Sequence, residues 1–200
     1  MPAFDSALLI RLLVCFLAGS IPFAVVAMWG TGIDIRRVGS GNPGFNNVLR
    51  ISKPRAALTL AGDLGKGFLL VWLCRRPQDT LIALWLYGFA AVLGHCYTPF
   101  LKFNGGKGVA TSGGVMLMLY PKWAALALAL FAIVRVAGSR LKWKEAGAIA
   151  SLATWAGFTV LMFALVGPQD GAMAAVMTVF LALRHKKNFQ NLPAPAQAAR

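Results

Sequence analysis

Acidic side chains are scarce in this chain. Six Asp and Glu stand against 20 Lys and Arg in 200 residues, and the six are scattered singly. Paired carboxylates working as general acid and base need two acids in one place, so that chemistry has little to draw on. Histidine and cysteine are equally thin. His95 and His185 are the two histidines, and Cys15, Cys74 and Cys96 lie far apart without CxxC spacing. Neither a zinc site nor a disulfide framework follows from that pattern, and no metal or cofactor is expected. There is no nucleophile elbow and no HExxH. The first apolar run is too long for a signal peptide and lacks a credible small-residue cleavage site.

What the chain has in quantity is apolar surface. Hydrophobic residues make up 58% of it, charged residues 13%, and mean hydropathy is +0.66. A soluble domain of this size has too small an interior for that content, whereas apolar helices facing lipid accommodate it. The expected class is an all-α integral membrane protein. It is read as one domain over residues 1–192, with a Pro- and Ala-rich disordered tail over 193–200.

Seven apolar segments follow one another: Ala7–Trp29, Arg55–Leu73, Thr80–Gly94, Val109–Tyr120, Trp123–Ala137, Gly147–Val166 and Gly171–Leu183. Most are long enough to cross a bilayer at about 1.5 Å per residue. Val109–Tyr120 is too short to cross untilted, so it and its successor read as a hairpin that crosses only in part. Gly19-Ser20 and Pro22 interrupt the first segment, where proline permits a kink. Asp63 and Lys66 stand three apart on one face of the second, as a structural ion pair or as support for a site from behind.

Basic residues set the orientation. With the N-terminus outside and seven crossings, the cytoplasmic segments hold 14 of the 20 Lys and Arg, and the outer turns hold three. The positive-inside rule therefore places the N-terminus out and the C-terminus in. The same asymmetry explains the high pI without nucleic acid.

Three polar clusters then fall on the cytoplasmic face. The first is Val38-Gly39-Ser40-Gly41-Asn42-Pro43-Gly44-Phe45-Asn46-Asn47-Val48-Leu49-Arg50. Its glycines allow backbone N–H groups to turn toward one point as an anion nest, and Arg50 adds a planar fork suited to phosphate. A solvated turn-rich loop fits the same residues. The second runs from Gly94-His95 to Gly105-Gly106-Lys107-Gly108-Val109-Ala110-Thr111, where a glycine-rich loop opens a helix and Lys107 faces any anion bound there. It is not a Walker loop. The third is Arg184-His185-Lys186-Lys187-Asn188, in which His185 serves as a base or as a cap on the last helical carbonyls.

Taken together, these stretches resemble the acyl-phosphate-dependent glycerol-3-phosphate acyltransferases of bacteria, the PlsY family. The matching residues are Gly19-Ser20-Ile21-Pro22, Ser40-Gly41-Asn42-Pro43-Gly44 with Asn47 and Arg50, Asp63 with Lys66-Gly67, Gly94-His95, Gly105 to Thr111, and Arg184-His185 with Asn188. They run in the family's order from the first segment to the last.

The resemblance implies a seven-helix enzyme of the bacterial inner membrane with its active site on the cytoplasmic face. It implies transfer of a fatty acyl group from acyl phosphate to the sn-1 hydroxyl of glycerol-3-phosphate, giving lysophosphatidic acid and phosphate. Substrate phosphate, rather than a protein base, takes the proton. It also assigns residues. Ser40, Gly41 and Asn42 with Gly106 and Lys107 would hold the donor phosphate. Arg50, Lys107, His185 and Asn188 would clamp glycerol-3-phosphate. Gly44, Asn46, Asn47, Gly105, Gly108 and Glu145 would complete the substrate-binding set. Phe45, Asn46, Asn104 and Glu145 depart from the family pattern. Phe45 is expected to narrow the pocket or touch the acyl chain, and Glu145 to oppose a phosphate unless Lys142 or Lys144 neutralises it. The rival readings are a divergent relative with another acceptor, an inactive lipid-phosphate binder and an anion transporter. No inverted repeat favours transport.

Overall fold

The computed structural model describes residues 6–190, all of whose regular structure is helical. The chain divides into two compact units, Met1–Ala125 and Leu126–Arg200.

In the first unit, α1 (Ser6–Gly19) ends where Ser20 and Pro22 interrupt it, and α2 (Phe23–Met28) resumes the run. Together they form an apolar stretch of 23 residues, Ser6–Met28, long enough to cross a membrane. Pro22 supplies no N–H and clashes with the preceding turn, so the chain breaks there. A one-turn helix α3 (Phe45–Val48) lies inside the first glycine-rich loop, and α4 (Lys53–Cys74) follows with a proline in its first turn. Thr80 caps α5 (Leu81–Cys96) by accepting the N–H of Ala83 at 3.3 Å. After a 3-10 turn at Pro99–Leu101 comes the short α6 (Val109–Leu119).

Two glycine-lined crossings set the spacing of these helices. On α1 and α5, a Cβ at Gly19 would stand 2.4 Å from the Ala91 carbonyl oxygen, and one at Gly94 would stand 2.1 Å from that of Phe16. On α4 and α6, a Cβ at Gly67 would stand 1.9 Å from the Thr111 carbonyl oxygen, and one at Gly114 would stand 2.0 Å from that of Leu64. In lipid no hydrophobic drive pushes helices together, and close backbone approach over small residues does that work instead.

The second unit begins within α7 (Pro121–Arg140) and contains α8 (Ala146–Leu165), α9 (Pro168–Arg184) and the short α10 (Lys186–Gln190). α8 and α9 pack on each other, and the Thr159 and Thr178 hydroxyls meet at 2.8 Å between them. Gly171 lets the Phe163 ring lie against α9, because a Cβ there would stand 2.3 Å from it.

Five stretches are long and apolar enough to cross a membrane: Ser6–Met28, Lys53–Cys74, Leu81–Leu101, Pro121–Arg140 and Ala146–Leu165. The all-α membrane class holds. Among the described residues α6 has 11 residues and α9 has 17, so they are shorter. α7 differs from the expected half-hairpin. It starts at Pro121, runs to Arg140, and is long enough to cross by itself. The tail expected over 193–200 lies outside the described residues.

Candidate active site

The first glycine-rich loop is laced from inside by Asn47. Its amide nitrogen donates to the carbonyls of Ile35 at 2.9 Å and Val38 at 3.0 Å, and its amide oxygen accepts the N–H of Ser40 at 3.0 Å. The side chain is buried, 2% exposed. Asn47 therefore spends its polar atoms on the shape of the loop. Gly39 makes that possible. It adopts φ +58°, and a Cβ there would stand 2.3 Å from the Asn47 amide oxygen and 3.7 Å from the Arg50 guanidinium. Arg50 is thus set beside the loop. Gly41 turns at φ +67° and donates its N–H to Val38. At the loop's entry Asp34 is bound to Arg36, whose guanidinium donates at 2.9 Å to each carboxylate oxygen. Those bonds hold the Asp34 carboxyl down at about 2. The contact persists above the ordinary carboxylate range and is lost only as pH falls through that value.

One expectation changes here. The N–H groups of Ser40, Gly41 and Gly44 do not converge on one empty point, because they donate to Asn47, Val38 and Asn42. Phe45 packs against the cluster of Ala24, Met28, Ile35, Val48 and Ala56. Ser40, Asn46 and Arg50 are exposed, and Asn42 is half-buried.

The second loop closes on the end of α5. Lys102 and Phe103 take left-handed conformations at φ +52° and +61°. Gly105 then donates its N–H to Cys96 at 3.0 Å, and Gly106 donates to His95 at 3.2 Å. These donors satisfy terminal carbonyls of α5, as a helix end requires. What the glycines provide is approach: a Cβ at Gly105 would stand 2.0 Å from the His95 carbonyl oxygen, and one at Gly106 would stand 2.2 Å from His95 Nε2. Gly108, at φ +86°, caps α6. Half-buried Lys107 precedes the first turn of α6, whose N–H groups have no carbonyls one turn before them. Thr111 lies in that first turn, its hydroxyl buried and without a hydrogen-bond partner.

Asp63 and Lys66 form the structural ion pair considered for them. Lys66 Nζ is 2.9 Å from Asp63 Oδ1 and donates to the Ile21 carbonyl at 2.8 Å. His95 Nδ1 lies 3.3 Å from the same carboxylate oxygen. His95 is the residue that sequence reasoning left out of the site. Its signal was a histidine flanked by glycine in an apolar run that has an acid 32 positions earlier.

In the second unit, Glu145 stands just before α8 and accepts from the Asn188 amide at 2.5 Å. Among the described residues no salt bridge joins Glu145 to Lys142 or Lys144, the neutralising partners expected for it. His185 ends α9, 2% exposed, with Nδ1 2.7 Å from the Leu181 carbonyl oxygen. It is a helix cap, and in the neutral ring that contact fixes the proton on Nδ1.

The sequence profile described as glycerol-3-phosphate acyltransferase matches residues 9–194. The chain belongs to that family. A glycerol-3-phosphate acyltransferase of Ralstonia nicotianae is 42% identical over 185 residues, covering 88% of this chain and 86% of the relative. One of Bordetella pertussis is 39% identical and covers 94% and 88%. The crystal structure of PlsY (YgiH), an integral membrane glycerol 3-phosphate acyltransferase, in its glycerol 3-phosphate form, superposes with a TM-score of 0.82. It is 32% identical and covers 93% of this chain and 91% of its own. Its lysophosphatidic acid form gives 0.80.

Proposed function

We propose that this glycerol-3-phosphate acyltransferase takes its fatty acyl group from acyl phosphate and works without a protein base. Lysophosphatidic acid and phosphate are the products. The observation that carries the second point is the commitment of the acids. Asp34 is bound to Arg36, Asp63 to Lys66 and His95, Asp79 to Arg11, and Glu145 to Asn188. A carboxylate so engaged is poorly placed to take a proton. An acyl phosphate has a good leaving group, so positioning and charge stabilisation can carry most of the acceleration. The departing phosphate is itself a base of suitable strength.

In this reading Lys107 and the start of α6 hold the donor phosphate together with Ser40 and Asn42. Arg50 holds the phosphate of glycerol-3-phosphate through its two-pronged guanidinium. Asn47, Gly105, Gly106 and Gly108 act by shaping the two loops, and Gly41 and Gly44 by permitting the first one's turns. Seven crossings, the N-terminus outside and a site open to the cytoplasmic face of the bacterial inner membrane are supported by the bias of Lys and Arg toward that side.

The test is phosphate release by purified protein in lipid, with palmitoyl phosphate and glycerol-3-phosphate. Release that needs both substrates supports the reading. Release that proceeds equally without glycerol-3-phosphate overturns the acceptor, and absence of release overturns the donor.

A further inference from the structure

Both faces of the His95 ring edge are occupied, and by different kinds of group. Nδ1 faces the Asp63 carboxylate at 3.3 Å. Nε2 faces the second loop so closely that Gly106 has no room for a Cβ, which would stand 2.2 Å away. The backbone of the same residue meets that loop again, since its carbonyl accepts the Gly106 N–H at 3.2 Å and leaves no room for a Cβ at Gly105. The ring itself is held from behind. Asp63 is fixed by Lys66, and Lys66 by the Ile21 carbonyl at the break between α1 and α2, with the Phe23 ring centroid 5.6 Å from Nζ. All three side chains are buried. A bundle that needed only an ion pair would be served by Asp63 and Lys66 alone, which sit one turn apart on one helix.

We propose that His95 is a positioning residue for the acyl-phosphate loop: Asp63 and Lys66 fix its ring, and the ring's Nε2 edge sets where Gly106 and Lys107 stand. The identity of the ligand rests on the function proposed above. The geometry of the strut does not.

Two isosteric changes separate the ring's two edges. His95→Asn keeps a nitrogen where Nδ1 faces Asp63 and removes the edge that faces Gly106. His95→Gln extends an amide to the Nε2 position. For His95→Asn, the expected result is wild-type thermal stability with a KM for acyl phosphate raised on the order of ten-fold, and a KM for glycerol-3-phosphate within about two-fold of wild type. Gly106→Ala by itself is expected to raise the same KM, because the new methyl group collides with Nε2. Combined with His95→Asn the collision disappears, so the double variant is expected to match His95→Asn rather than show the product of the two losses. His95→Gln is expected to lie between wild type and His95→Asn.

Multiplying losses in the double variant, an unchanged acyl-phosphate KM in His95→Asn, or an equal rise in both KM values would each overturn the proposal. If His95→Asn does not fold, His95→Ala with and without Gly106→Ala provides the same cycle, because alanine also lacks the edge that the Gly106 methyl would meet. If the wild type releases no phosphate, the donor assignment fails separately. The cycle is then read as the rise in Tm given by inorganic phosphate, with the same non-additivity expected and simple additivity overturning the strut.

Discussion

Two charge clusters lie toward opposite ends of the first unit, one half-buried and one buried, and they are built differently. Near the start of α1, Arg11 donates to both oxygens of Asp79, at 3.0 and 2.8 Å, and to the Cys74 carbonyl at 3.1 Å. Asp79 also accepts the Tyr87 hydroxyl and the Arg76 N–H. Arg11 stacks on the Tyr87 ring, 5.1 Å from its centroid. Every contact in this cluster closes the turn between α4 and α5 onto α1. In the other cluster, Lys66 and His95 both approach Asp63 Oδ1, which accepts no hydrogen bond of good geometry, and the far edge of His95 is turned to a glycine loop. Buried charge alone does not separate structure from function. Direction does, because one cluster points inward from all sides and the other points outward at Gly106.

Breaking the clusters should therefore give different phenotypes. The largest effect is expected at the loop. Lys107→Ala should reduce phosphate release by about a thousand-fold or more, as loss of a group that stabilises developing charge does, while the purified protein keeps its Tm. Residual release above a tenth of wild type would remove Lys107 from the site. Arg11→Met should do the reverse. Removing one partner leaves Asp79 short of donors, and the cost is about 2–3 kcal/mol for a charged hydrogen-bonded group, read as a lower midpoint in denaturant with kcat per folded molecule unchanged. Arg11→Met with Asp79→Leu should recover part of that loss. A fall in kcat at wild-type stability would erase the distinction between the clusters.

Arg50→Lys sharpens the comparison within the site. The fork is lost and the charge is kept, so the KM for glycerol-3-phosphate should rise about ten-fold. A change confined to the acyl-phosphate KM would exchange the two phosphates. The smallest effect is expected from Glu145→Gln. It keeps an acceptor for Asn188 and removes the negative charge that would oppose a bound phosphate. The KM for glycerol-3-phosphate should fall about two- to three-fold, as for one charge in a partly hydrated setting. No change in that KM would take Glu145 out of the acceptor's surroundings.

The long helices were legible because apolar runs bounded by proline, glycine and charge carry their own ends, as Thr80 does for α5, whereas Pro121 read as a turn and proved to be the first residue of α7. α3 and α10 were not, since four or five residues of mixed character show no periodicity. The two loops were legible as loops, but the direction of their N–H groups was not. A glycine-rich stretch in sequence looks the same whether its donors face a ligand or the carbonyls of the previous helix. Asn47 shows the same limit: among Asn42, Asn46 and Asn47 nothing local marks the one that turns inward. His95 escaped because its partner is on another helix, and pairing across helices leaves no spacing to read.

The three-residue spacing of Asp63 and Lys66 also bears on how the protein is made. Both lie near the middle of Lys53–Cys74, where a lone charge costs about 2.5–3.5 kcal/mol to insert. One turn apart, they neutralise each other within the helix before α5 has been synthesised. His95 and the Ile21 carbonyl can then be engaged after α4 is already in the bilayer. The charge pair that later braces a loop is first what lets its helix leave the translocon.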